Sequence, residues 1–126
     1  MTHKLETARV PMNGREVLVE WTPAAAQALA RRETPLTVEL ELYFSCLVKK
    51  FVHFHDTAPD RATVAAHPML HLYFRSVTST ACSMDKAETL GRQPEIELDT
   101  EAVHKIAPKK VSIDHVRGAW LGSYSL

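Results

Sequence analysis

Apolar and polar residues alternate along much of this chain with the period of a β-strand, and the alternation is interrupted by turn residues at short intervals. The first unit reads as a hairpin: Leu5–Met12 and Arg15–Trp21 flank Asn13-Gly14, a pair that tolerates the positive φ of a type I′ turn. Val17, Val19 and Trp21 share one face of the second arm. Pro11 cannot donate to a ladder, so the first arm is expected at a sheet edge. Thr22-Pro23 reads as an N-cap followed by an N1 proline, which opens a helix running to about Arg32. Thr34-Pro35 closes it, because a residue before proline avoids the helical region.

Thr37–Val48 is the clearest strand. Val38, Leu40, Leu42, Phe44, Cys46 and Val48 occupy one parity, and Thr37, Glu39, Glu41, Tyr43, Ser45 and Leu47 the other. A helical stripe through Leu40, Phe44, Leu47, Phe51 and Phe54 is the competing pattern, but unbroken alternation with two outward glutamates favours strand. Lys49-Lys50 interrupts the alternation and predicts a bulge, after which strand resumes over Phe51–His55. A connection spans Asp56–Pro68. Met69 to Cys82 is then read as the return strand, with Leu70, Leu72 and Phe74 alternating against His71, Tyr73 and Arg75.

Weaker signals follow. Asp85 and Glu88 suggest a capping box for a helical turn ended by Gly91, and Glu95–Leu98 a short edge strand. Asp99 or Thr100 caps a helix bearing Ala102, Val103 and Ile106 and stopped by Pro108. Val111–Arg117 reads as a strand, and Gly118 and Gly122 let the tail bend. The expected fold is α+β: one domain over residues 1–126, an antiparallel or mixed sheet with the N-terminal hairpin, and two short helices packed on one face.

The mid-chain strands are apolar on both sides. With Val38, Leu40, Leu42, Phe44, Leu70, Leu72 and Phe74 on the helices, the opposite face still carries Tyr43, Leu47, Phe51, Tyr73 and Val77. A sheet with one wet face alternates more cleanly than this. Those five residues are therefore the expected interface of a homodimer, the commonest oligomer. The competing expectation is that the N-terminal hairpin or the C-terminal strand and tail cover that face within one chain.

Composition narrows the function classes. Fifteen basic and fifteen acidic residues balance to a net charge of zero, and the basic pairs are scattered, which argues against nucleic acid as a partner. No apolar stretch is long enough to span a membrane, and no secretory h-region opens the chain. Two cysteines, Cys46 and Cys82, are too few for a disulfide framework and lack zinc-site spacing, so a cytoplasmic protein is expected. Neither suits a nucleophile: Cys46 sits on the apolar parity, and Cys82 lies far from the histidines.

Seven histidines include the group His53, His55, His67 and His71. A hairpin register that keeps the apolar parities aligned puts His53 opposite His71 and His55 opposite Met69. Cross-strand Cβ atoms about 5 Å apart would then bring His53, His55 and His71 toward one zinc or similar divalent transition metal, with Asp56 nearby as a carboxylate. The bland alternative is histidines on a sheet face bonded to water or backbone. Glu39 and Glu41 share the outward face, where exposed charges serve solubility more often than acid–base chemistry. No nucleophile elbow, phosphate loop, dinucleotide fingerprint or HExxH occurs. The residues thus point to a non-enzymatic binding and assembly domain, homodimeric, with a metal-dependent protein built on His53, His55 and His71 as the alternative and a small-ligand pocket between sheet and helices as a third.

Overall fold

A computed structural model describes residues 5–44, 48–79, 95–98 and 101–126. Its elements are β1 (Glu6–Met12), β2 (Arg15–Trp21), α1 (Pro23–Ala30), β3 (Leu36–Phe44), β4 (Val48–His55), β5 (Val64–His67), β6 (Leu70–Ser79), β7 (Glu95–Glu97), α2 (Glu101–His104), β8 (Lys110–Val116) and β9 (Ala119–Ser125). Strand accounts for 61% of the described residues, and among them only α1 exceeds a single helical turn. No helix there is long and apolar enough to cross a membrane.

The strands form two sheets. One runs β1-β2-β8-β9; the other runs β4-β3-β6-β5, with β7 joining β6 along the end that β5 leaves free. Both sheets are mixed, since β2 pairs parallel with β8 and β3 parallel with β6, while the remaining ladders are antiparallel. The expectation of two helices covering one sheet is therefore overturned. The second sheet supplies the cover, and α2 is one turn too short to bury a face.

The core lies between the sheets. Val10, Met12, Val17, Val19, Trp21, Val111, Ile113 and Tyr124 from one meet Leu36, Val38, Leu40, Leu70 and Leu72 from the other, and α1 adds Ala25 and Leu29. Contact is close. A Cβ on Gly122 would sit 2.8 Å from Val52 Cγ1 and 2.9 Å from Phe54 Cζ, so a side chain there would force the sheets apart. Trp120 stacks on Phe54 and Tyr124 meets Phe74 edge-on, each at 6.1 Å between centroids.

Local chemistry explains the surviving expectations. Asn13 and Gly14 take φ of 50° and 76°, the type I′ pattern, and Pro11 lies on edge strand β1. The Thr22 hydroxyl accepts from Ala25 N at 3.1 Å and donates to Asp114 Oδ1 at 2.6 Å, which caps α1 and ties it to β8.

The mid-chain register departs from the sequence reading. Phe44 pairs with Val48 and Thr37 with His55, so the chain reverses between them and β4 folds back on β3; Lys49-Lys50 is not a bulge in a longer strand. β6 then lies on the other side of β3, parallel to it, with Leu36 beside Leu70 and Phe44 beside Thr78. Cys46, Leu47, Cys82 and the expected helical turn at Asp85–Gly91 lie outside the described residues.

Candidate functional site

Every residue of β3 from Leu36 to Leu42 is buried, on both faces. One parity enters the core. The other places Thr37, Glu39, Glu41 and Tyr43 on the outer face, flanked by β4 and β6. Directly opposite residues share a face in either ladder type. The rows across the sheet are therefore His55–Thr37–His71, His53–Glu39–Tyr73, Phe51–Glu41–Arg75 and Lys49–Tyr43–Val77.

Two carboxylates at the centre of a sheet, only 7% and 6% exposed for Glu39 and Glu41, demand compensation. Arg75 provides it from β6: Nε lies 3.1 Å from Glu39 Oε2, and Nη2 lies 3.4 Å from Glu41 Oε1. The Tyr73 hydroxyl donates to Glu39 Oε1 at 2.7 Å, and His55 Nε2 lies 2.9 Å from the same oxygen. His53 Nε2 stands 3.4 Å from Glu41 Oε1. Each imidazole thus leans diagonally to the carboxylate one row along.

These contacts decide the protonation of Glu39. Burial alone would push it up, but the Tyr73 and His55 hydrogen bonds, with the charges of Arg75 and His53, outweigh burial and hold it below the usual carboxylate range. The same contact works in reverse on Tyr73. Burial, then the Glu39 bond and charge, push that phenol up to about 12, against the opposing charges of Arg61 and Arg75. Arg61 lies over the Tyr73 ring at 4.8 Å and donates to Glu97 Oε1 at 2.6 Å. Aromatic contacts continue along β4, where Phe51 stacks on His53 and meets Tyr43 edge-on.

The sequence-expected residues are brought together only in part. His53 and His55 are neighbours in the cluster, whereas His71 stands across β3 in the Thr37 row, two strand spacings or about 10 Å from β4. Its Nε2 lies 3.2 Å from Pro68 O. His67 Nδ1 accepts from Met69 N, and its ring stands edge-on to Trp21. Asp56 pairs with Arg32 at 3.0 Å. Of the five expected interface residues, Tyr43, Phe51 and Tyr73 line the outer face. Val77 is on that face but 1% exposed, so it is covered within the chain, and Leu47 lies outside the described residues.

Nothing in the sequence marks Arg75, and alternation alone makes Glu39 and Glu41 solvated charges on the outward face. The available signal was a Glu-x-Glu pair at the middle of an otherwise apolar strand, a position that leaves a carboxylate little water. Glu39, Glu41 and His53 each bring a potential ligand atom within 4.8 Å of the others. Comparison with family models, with curated proteins and with solved structures found no match to this chain.

Proposed function

We propose that the protein is a non-enzymatic binding and assembly module that acts as a homodimer, joined along β4 and the adjoining outer face. The observation that carries this is Phe51. It is a large aromatic 39% exposed, on a strand that pairs only with β3 among the described residues. A free strand edge offers unpaired N–H and C=O groups to another strand, and an aromatic beside it supplies the desolvated contact that holds such a pair. Val48, 58% exposed, adds an apolar side chain on the other face of the same edge strand.

The adjoining charges are partly compensated within the chain, because Arg75 contacts both Glu39 and Glu41. An antiparallel β4–β4 pair about a twofold axis keeps like parities on one face. With the axis at Phe51, Lys49 faces His53 of the partner subunit; with the axis at Val52, it faces His55 of the partner subunit. Neither arrangement opposes lysine to lysine, so Lys49 and Lys50 do not block this pairing although they discourage others. The compartment we assign is the cytoplasm, where two cysteines without metal or disulfide spacing belong.

Light scattering on a size-exclusion column tests the proposal. The wild type is expected at twice the chain mass, and Phe51→Glu, which puts a charge at the contact, at the mass of one chain. A wild type that stays monomeric at high concentration, or a folded variant that remains a dimer, overturns it.

A further inference from the structure

We infer that Glu39, Glu41 and His53 form a binding site for a divalent transition metal of the zinc class. The inference is independent of the dimer, because it concerns ligands from one chain. Its first support is a distance. His53 Nε2 and Glu41 Oε1 are 3.4 Å apart, as are Arg75 Nη2 and that same oxygen. Charge-assisted hydrogen bonds normally close to about 2.7–2.9 Å. Two ligands of a tetrahedral zinc, each about 2.0–2.1 Å from the ion, stand about 3.3–3.4 Å apart. The imidazole and carboxylate are therefore spaced as ligands of one ion rather than as a bonded pair. By contrast His55 and Glu39, at 2.9 Å, are at hydrogen-bond distance.

The second support is burial. Exposed acidic residues cluster freely because water satisfies them, but Glu41 is over nine-tenths buried, and its side-chain contacts among the described residues, to His53 and Arg75, are both long. A desolvated carboxylate so loosely held favours a closely bound cation. In the single chain the His53 side chain is 44% exposed, which makes it the outermost of the three ligands. Glu39 completes the set within 4.8 Å. Imidazole with two carboxylates suits zinc, iron(II) or manganese rather than a soft metal.

Arg75 need not leave. Its shorter contact is to Glu39 Oε2 at 3.1 Å, and only the longer one to Glu41 is replaced by the ion. His55 and Tyr73, both on Glu39 Oε1, are placed to orient that carboxylate from behind. This moves the metal expected from the sequence off His71, which stands in another row, and onto two glutamates.

The test uses untagged full-length protein, titrated with Zn²⁺ by calorimetry and with Co²⁺ by visible absorption. One ion per chain is expected, with the strong d–d bands of a four-coordinate cobalt site. His53→Ala and Glu41→Gln should each weaken binding at least tenfold, whereas His71→Ala should leave it within twofold. His53 is half exposed, so its variant is expected to fold, and circular dichroism checks this. Absence of stoichiometric zinc binding by the wild type overturns the inference. Equal loss in His71→Ala, or unchanged binding in folded His53→Ala, does so as well. Metal is scored per chain, so a monomeric wild type that binds zinc would defeat only the dimer.

Discussion

Replacing Arg75 by methionine keeps most of the side-chain volume and removes a guanidinium that contacts both Glu39 and Glu41. The carboxylates that remain offer oxygens within 4.8 Å of each other at the centre of a sheet. At an effective dielectric of about 20, two unit charges at that separation repel by about 3.5 kcal/mol. Removing one partner of a buried ion pair costs about 3–5 kcal/mol, which agrees. Arg75 is partly solvated, so we expect a loss near the lower figure, about 3 kcal/mol, in urea unfolding at pH 7. The pH dependence has a definite sign. Without the guanidinium, the crowded carboxylates hold a proton more tightly folded than unfolded. Their folded pKa then lies above the unfolded one, so stability is retained at low pH and lost as pH rises. The wild type behaves oppositely, because Glu39 is held below its ordinary range. The two stabilities should therefore converge as pH falls toward 4. Adding Glu41→Gln to Arg75→Met removes one of the two charges and should recover most of the loss at pH 7. A loss below about 1 kcal/mol at pH 7, or a loss that does not shrink in acid, would refute the reasoning.

Other consequences concern the packing of the two sheets. Gly122→Ala would place a Cβ at 2.8 Å from Val52 Cγ1 and 2.9 Å from Phe54 Cζ, and should cost about 1–3 kcal/mol by overpacking, read as a lowered Tm; an unchanged Tm would mean that the sheets are not in contact there. Thr22→Ala removes both the cap on Ala25 N and the bond to Asp114, and should cost about 1–2 kcal/mol in the same unfolding assay. The Thr22 hydroxyl, then the His115 backbone N–H, hold Asp114 below its usual range. A depressed carboxylate contributes stability above its unfolded pKa and loses it as pH falls, so Asp114→Asn should flatten the stability curve below about pH 4. An unaltered acid limb would rule out that contribution.

Much of the fold was legible where local chemistry dictates it. Asn13-Gly14 announces a type I′ turn, Thr22-Pro23 a capped helix, and Val17, Val19 and Trp21 a buried face. The parities of β3, β4 and β6 were also readable, so Tyr43, Phe51 and Tyr73 were correctly grouped on the face away from the core. The reversal between Phe44 and Val48 was not readable, for a simple reason. Those residues pair although four positions apart, an even offset, so the alternation of β3 carries over into β4 without a change of parity. With no turn expected there, Lys49-Lys50 reads as a bulge. The Lys50 Nζ instead reaches over the Tyr124 ring at 5.9 Å.

Strand direction was illegible as well. Alternation is the same for parallel and antiparallel neighbours, and the parallel β2–β8 and β3–β6 pairs depend on packing between distant segments. That loss decided the site. Read as an antiparallel partner of β4, β6 brought His71 to His53; placed across β3, it brings Arg75 and Tyr73 to the glutamates instead. The turn at Arg117-Gly118, with φ of 53° and 80°, repeats the geometry of Asn13-Gly14 but lacks the asparagine that would have marked it. The tail beyond it was therefore read as bent chain rather than as β9.

The position of β3 between β4 and β6 underlies the charge network, the free β4 edge and the metal ligands alike. Cross-strand nuclear Overhauser contacts test it most directly. Glu39 is expected to show backbone contacts both to His53 and to Tyr73, with none between His53 and His71. A backbone contact from His53 to His71, with Glu39 linked to neither neighbour, would contradict the account.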